Sequence, residues 1–222
     1  ATKKFDGGFV MAGMIGHGDA FIMRDPNGIR PAYYYHDDEV VVAASERPAI
    51  QTAFKIKHKN VKELNPGHAL EGMWFCLDTA AAVKDTQSVE IALQVIIQTL
   101  EHGWDTEYGG IYYFMDSKDA PTQQLEWNHK LWWVHLEALV ALIKARQLRP
   151  EDRRYAVWFD RVLEYTWEHF RDTEHGGEWF GYLNREGQVQ LDLKGGKWKG
   201  CFHLPRALLL LMQIADQMTG NE

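Results

Sequence analysis

Two glycine-rich segments 67 residues apart constrain the fold of this chain more than any other feature of its sequence. GWDTEYGGIYYF at 103–114 and FRDTEHGGEWFGY at 170–182 share the pattern Asp-Thr-Glu-x-Gly-Gly. Each copy follows an amphipathic helical pattern and precedes a stretch that is apolar nearly all round. A fixed period of this kind is typical of stacked helix pairs. We therefore predict a repeated unit made of an outer helix, a Gly-Gly hairpin and an inner helix.

The hydrophobic pattern changes from strand-like to helical near residue 64, which predicts a mixed fold class. Residues 1–63 form a β-rich fragment in this interpretation, with a hairpin in which Tyr33–Tyr35 and Val40–Ala43 flank a polar turn. Residues 64–222 form an all-α region. The periodicity predicts its helices at 68–83, 87–102, 127–147, 152–170 and 204–219.

The third and fifth of these helices are apolar nearly all round, a pattern typical of helices buried inside a larger helical assembly. Five helices make only two and a half pairs, which is too few to close a toroid. We therefore expect the all-α region to form an arc of a helical barrel.

Composition and charge argue against two classes of partner. The net charge is −7, and the short basic run of Lys57, His58, Lys59 and Lys62 is interpreted as a solvated loop, so the sequence argues against a nucleic-acid partner. No apolar run approaches the roughly 18 residues that a membrane span needs.

The two cysteines, Cys76 and Cys201, lie in apolar contexts and are predicted to be buried free thiols of a reducing compartment. A cytoplasmic location is expected on these grounds.

Three histidines begin the predicted inner helices: His68 in PGHALE, His135 in WVHLEA and His203 in CFHLPRA. Because the inner helices of a toroid point one end at the central cleft, the three could face one cavity. The positive end of a helix dipole favours the neutral imidazole that a general base requires. Glu71 follows His68 by one turn on the same helix face, so it could accept the ring's other N–H and fix its tautomer.

Other interpretations of these histidines stay open. His68 could be a satisfied helix-cap histidine, and His135 could be a packing residue beside the neighbouring tryptophans. The chain has no HExxH motif, and neither cysteine belongs to a CxxC motif, so we expect no metal site.

Residues 64–222 resemble the C-terminal part of the N-acylglucosamine 2-epimerase family, which includes renin-binding protein. The resemblance is carried, in family order, by NPGHALEGMWF, GWDTEYGGIYYF, PTQQLEWNHKLWWVHLEAL, DTEHGGEWFGYLNREG and KGGKWKGCFHLPRAL. It implies about half of an (α/α)6 barrel of twelve helices. It also implies interconversion of N-acetylglucosamine and N-acetylmannosamine at C2, with a small amino sugar as the partner.

The resemblance further implies how the sugar is epimerised. One histidine removes the C2 proton of the open-chain sugar, an enediolate-like intermediate forms, and a second histidine returns a proton on the other face. By resemblance these histidines are His68 and His203, and Glu71 orients His68. Neither a redox cofactor nor a metal is needed. The family resemblance also suggests a set of sugar-binding residues, Trp127, Trp133, Glu137 and Trp179.

Residues 1–70 resemble a different family, the class II glutamine amidotransferase domain of amidophosphoribosyltransferase. RDPNGIRP at 24–31 and ASERPAIQT at 44–52 carry the resemblance, which covers an interior piece of that domain. The N-terminal nucleophilic cysteine of that family has no counterpart, so we expect no glutaminase activity. The alternatives to an epimerase are therefore an inactive amidotransferase-derived fragment and a non-catalytic chimera.

The expected barrel arc leads to two further predictions. The first half of the barrel has no counterpart in the sequence, so we expect low or absent activity for the chain as it stands. Apolar inner helices would be left uncovered, and a homodimer is one arrangement that would cover them.

Overall fold

The computed structural model describes residues 10–14, 16, 20–24, 33–36, 41–44, 63–116, 122 and 124–220. The chain divides into two compact units, Ala1–Val61 and Lys62–Glu222. In the first unit, β1 (Val10–Met14) pairs antiparallel with β2 (Ala20–Arg24), and β3 (Tyr33–His36) pairs antiparallel with β4 (Val41–Ala44). The predicted β3–β4 hairpin is confirmed. Most of the two amidotransferase-like motifs, residues 25–31 and 45–52, lies outside the described residues.

The second unit contains five long helices, each within a few residues of its predicted position. They are α1 (Pro66–Ala82), α2 (Thr86–Gly103), α3 (Trp132–Leu148), α4 (Arg153–His169) and α5 (His203–Thr219). Side-chain caps fix three of the starts. The side-chain amide oxygen of Asn65 accepts a hydrogen bond from a backbone N–H group of α1. The carboxylates of Asp85 and Asp152 do the same for α2 and α4.

Helix α3 is the centre of this unit. It packs against α1, α4 and α5, and 13 of its 17 residues are buried. Helix α5 is covered on one side only, because Leu204, Ala207 and Ile214 are buried whereas Leu209 and Met212 are exposed. The prediction of burial all round is therefore confirmed for α3 and wrong for α5.

Short strands connect the helices. β5 (Glu63–Leu64) pairs with β6 (Met115–Asp116), and β7 (Lys130–Leu131) pairs with β8 (Tyr182–Leu183), which also pairs with β9 (Val189–Leu191). β7 leads directly into α3, which explains why that helix begins five residues later than its hydrophobic pattern predicts. Both cysteines are free but exposed, so the prediction that they are buried is wrong.

The two copies of the repeat form the same turn. In each copy the aspartate Oδ1 accepts hydrogen bonds from backbone N–H groups two and three residues later, at 3.0 and 3.3 Å for Asp105 and at 3.0 Å each for Asp172. The Gly-Gly pairs that follow have φ between +68° and +77°, a region that glycine adopts without strain. Each turn lies between an amphipathic helix and the next long helix, α2 and α3 in the first copy and α4 and α5 in the second, so the predicted order of helix, turn and helix is confirmed.

Candidate active site

A buried carboxylate on α3 organises the candidate site. Glu137 is fully buried, and its two oxygens accept hydrogen bonds from three side chains. Trp74 Nε1 on α1 donates to Oε2 at 2.8 Å, His203 Nδ1 on α5 donates to Oε1 at 2.6 Å, and Arg206 Nη2 on α5 also donates to Oε1. A buried charge is tolerated when it is paired and hydrogen-bonded in this way. Three helices therefore meet at one carboxylate.

The contact with Glu137 fixes the tautomer of His203. An ionised carboxylate only accepts hydrogen bonds, so the proton of the neutral imidazole lies on Nδ1 and the lone pair lies on Nε2. His203 is the first residue of α5 and its side chain is 21 % exposed. The Glu137 carboxylate therefore binds the Nδ1 side of the ring, and Nε2 is the nitrogen that can accept a proton.

One indole contacts both histidines that the sequence assigned to catalysis. The ring centroid of Trp133 lies 4.9 Å from that of His68 and 5.6 Å from that of His203. His68 is exposed in the first turn of α1, where its backbone N–H donates to the cap residue Asn65 at 2.9 Å. Gly67 permits this arrangement, since a Cβ there would lie 2.5 Å from the Trp133 ring. The structure therefore brings His68, Trp133 and His203 together.

Glu71 lies in this region but has a different partner from the predicted one. Its Oε1 is 3.4 Å from Arg206 Nη2, and the described contacts contain no hydrogen bond between Glu71 and His68. A permanently charged guanidinium attracts a carboxylate more strongly than a neutral imidazole does. The carboxylate that orients a histidine is Glu137, which the sequence suggested only as a sugar-binding residue.

Arg206 is not among the site residues that the sequence predicts. It follows His203 by three residues in HLPR, and this spacing places both side chains on one helix face. We call Glu71, Trp74, Glu137, His203 and Arg206 the Glu137 cluster. Side-chain oxygen and nitrogen atoms of three of its members, Glu71, Glu137 and His203, lie within 4.8 Å of one another, an arrangement that can also hold a cation. Here Arg206 already supplies the positive charge between the two carboxylates, and we assign no metal to the cluster.

His135, the third histidine of the pattern, is a core residue. It is fully buried, its Nε2 accepts a hydrogen bond from the backbone N–H of Ile111 at 2.9 Å, and its Nδ1 donates to the Leu131 carbonyl at 2.8 Å. Burial lowers the pKa of His135 to about 3, so the ring is neutral. The expectation that three histidines share a cavity is wrong for His135, because α3 is covered by neighbours on several sides.

For two of the predicted sugar-binding tryptophans, the ring contacts in the described part of the chain are with residues outside the Glu137 cluster. Trp127 is 38 % exposed in a turn and its ring lies 5.5 Å from that of Tyr112. Trp179 is buried against Trp167, with ring centroids 5.8 Å apart. Their predicted role in binding a sugar stays a prediction.

Comparison with known proteins gives a family match over most of the chain. The model of the family described as N-acylglucosamine 2-epimerase (GlcNAc 2-epimerase) matches residues 27–207. The chain belongs to the N-acylglucosamine 2-epimerase family. The match includes every member of the Glu137 cluster as well as His68 and Trp133. The predicted amidotransferase origin of residues 1–70 stays a prediction.

Curated members of the family are longer than this chain. The N-acylglucosamine 2-epimerase of Rattus norvegicus is 46% identical over 151 residues, which are 68% of this chain and 36% of the rat protein. The Homo sapiens protein of the same name is 41% identical over 161 residues, 72% of this chain and 37% of the human protein. The chain thus spans a little over a third of the length of these relatives.

Solved structures show the same helical fold. A D-mannose isomerase superposes with a TM-score of 0.61 at 18% identity, covering 74% of this chain and 41% of that protein. The cellobiose 2-epimerase of Bacillus thermoamylovorans gives a TM-score of 0.57 at 20% identity, covering 71% and 39%. The helical region therefore has part of the (α/α)6-barrel fold of these proteins, as the resemblance implied. Within the described part of the chain, no helix is both long and apolar enough to cross a membrane.

Proposed function

We propose that this chain carries the proton-transfer site of a sugar 2-epimerase that interconverts N-acetylglucosamine and N-acetylmannosamine. The observation that supports the proposal most is the pairing of His203 with Glu137, beside an indole that also contacts His68. Two imidazoles next to one aromatic ring suit a substrate whose carbon loses a proton on one face and gains it on the other. The names of the relatives supply the substrate class.

In the proposed reaction the sugar is in its open-chain form, so the C2 proton is α to the C1 aldehyde. One histidine takes this proton, the electron pair of the C–H bond becomes the C1–C2 π bond, and the π pair of the C1 carbonyl moves onto O1. The product is an enediolate-like intermediate, and its O1 electron pair re-forms the carbonyl when C2 is protonated. The other histidine then donates a proton to the opposite face of C2. No electron leaves the sugar, so the reaction requires no redox cofactor.

The Glu137 cluster suits His203 to this task. The cluster has two carboxylates, Glu71 and Glu137, and one guanidinium, Arg206, when His203 is neutral. When His203 takes a proton, the positive and negative charges become equal in number. The Glu137 carboxylate, already placed on Nδ1 at 2.6 Å, stabilises the imidazolium that forms.

The test is hydrogen exchange at C2 in deuterated water. The purified chain is incubated with N-acetylmannosamine or with N-acetylglucosamine, and deuterium at C2 is followed by NMR. We expect slow exchange, since the chain spans a little over a third of the length of its relatives. Exchange should be lost or strongly reduced in Glu137→Gln, whereas His175→Ala, which alters an exposed histidine of the second repeat turn, should exchange at the wild-type rate.

Single-histidine variants test the two-face mechanism. A variant with one remaining base should exchange C2 hydrogen in only one of the two sugars, and with retention of configuration. His68→Ala and His203→Ala should therefore exchange opposite epimers. A folded wild-type chain with no exchange above the protein-free control would contradict the claim that this chain is an enzyme. Loss of exchange from the same epimer in both variants would contradict the assignment of the two histidines to opposite faces.

A further inference from the structure

Arg206 makes its polar contacts in the Glu137 cluster through one terminal nitrogen. Nη2 donates to Glu137 Oε1, lies 3.4 Å from Glu71 Oε1, and lies 3.4 Å from His203 Nδ1. The guanidinium is held in place by aromatic rings, with its carbon 4.3 Å from the ring centroid of Phe202 and 5.3 Å from that of Trp74. The positive charge of Arg206 therefore lies next to two carboxylates and one imidazole, and these three groups belong to three different helices.

The described groups around His203 give this charge a specific consequence. Glu71 on α1 and Glu137 on α3 both favour a proton on the imidazole, and Arg206 on α5 opposes it. Three aromatic rings also lie near the imidazole, those of Trp132, Trp133 and Phe202. Without Arg206, two carboxylates would act on His203 with no cation between them.

We propose that Arg206 is a positioning residue that sets how readily His203 releases its proton. It does so in two ways. It occupies part of the hydrogen-bonding capacity of Glu137, and it places a positive charge beside Nδ1. This inference rests on the proposed function, in which His203 both takes and returns the C2 proton. A histidine that holds its proton too firmly is protonated at neutral pH and cannot act as a base.

The test is an NMR titration of the His203 imidazole, assigned by its absence from the spectrum of His203→Gln. In Arg206→Met the titration midpoint should rise by about 1 pH unit or more, because a neighbouring positive charge is lost. In Arg206→Lys it should return towards the wild-type value, since a single ammonium can replace a contact made by a single nitrogen. Arg154→Met is the control, because Arg154 pairs with Asp152 at an exposed helix start.

The outcomes separate this inference from the proposed function. An unchanged midpoint in Arg206→Met, or an equal rise in Arg154→Met, would overturn the role of Arg206. If Arg206→Met fails to fold by circular dichroism, Arg206→Gln, which keeps a donor without a charge, gives the same test. The titration needs no sugar, so a wild-type chain that exchanges no C2 hydrogen would overturn the proposed function and leave the Arg206 result standing.

Discussion

A buried ion pair at the first repeat turn leads to the sharpest stability prediction. Lys130 Nζ lies 3.0 Å from Asp105 Oδ2, and both side chains are almost completely buried, at 0 % and 1 % exposed. Burial lowers the pKa of Lys130 to about 8, although Asp105 opposes the fall. Burial alone would raise the pKa of Asp105, but hydrogen bonds from Arg185 and Lys130 outweigh it and hold this pKa well below its usual range. The second repeat has the equivalent pair, Lys194 with Asp172, in which the lysine is 29 % exposed.

The perturbation is Lys130→Met, which removes the ammonium and keeps an apolar chain of similar length. Removing one partner of a buried ion pair costs about 3–5 kcal/mol, because the other charge is left buried. Arg185 still donates to Asp105 Oδ2 at 3.0 Å, and burying the ammonium already carries a cost. We therefore expect a loss near the lower limit, about 3 kcal/mol. Lys194→Met should cost less, about 1 kcal/mol, because water screens an ion pair whose ammonium is 29 % exposed, although Asp172 is itself only 4 % exposed.

The assay is urea unfolding at pH 7, followed by far-ultraviolet circular dichroism. The free energy of unfolding should fall by about 2 kcal/mol more in Lys130→Met than in Lys194→Met. The two variants remove the same group beside similarly buried aspartates, 1 % and 4 % exposed, so the main difference between them is the burial of the ammonium. Arg185, which still bonds Asp105, works against the predicted difference. Equal losses in the two variants would refute the reasoning that desolvation, and not the ion pair itself, determines the cost.

Two further predictions concern the core and the repeat turns. The folded-state pKa of His135 is about 3, against 6.5 for the free side chain, so the unfolded chain binds more protons between these values. The free energy of unfolding should therefore fall as the pH is lowered from 6.5 towards 3, by up to about 1.4 kcal/mol per pH unit. Unfolding of His135→Gln, measured across the same range, should lack the part of this pH dependence that His135 causes. An equally steep pH dependence in the variant would contradict the prediction. Gly110→Ala should destabilise the chain by about 1–3 kcal/mol more than Gly177→Ala. The two glycines share φ near +76°, but only at Gly110 would a Cβ lie 2.6 Å from Tyr165. Thermal unfolding of both variants checks this, and equal unfolding midpoints would contradict the proposed steric clash.

The repeated placement of histidines shows how a sequence pattern and a site can differ. His68, His135 and His203 occupy similar positions near the starts of three helices, but only the first and third lie against Trp133. Helix α3 is packed by α1, α4 and α5, so the histidine in its first turns is buried and bonded to the backbone. The same helix brings Glu137 into contact with His203, because a buried residue on a helix with neighbours on several sides packs against the side chains that those neighbours place there.

Several elements of the fold could be predicted from local sequence. The five helices follow from the 3.6-residue period, and Asn65, Asp85 and Asp152 cap three of them through bonds that span at most three residues. The repeat turns follow from Asp-Thr-Glu-x-Gly-Gly, since the aspartate binds backbone N–H groups of its own turn and the glycines accept positive φ. These features depend on neighbours in the chain, so the sequence alone contains their causes.

The partners of the charged groups were decided by the tertiary structure. Local spacing suggested that Glu71 would orient His68, yet Glu71 lies against Arg206, which is 135 residues away in the chain. Glu137 binds Trp74 and His203 across 63 and 66 residues. Such contacts arise where three helices converge, and a buried carboxylate takes the strongest donors available there. The sequence by itself therefore determined where the helices and turns form, and it identified the two histidines that lie beside Trp133. Only the packing of α1, α3 and α5 decided which carboxylate forms a hydrogen bond with which histidine.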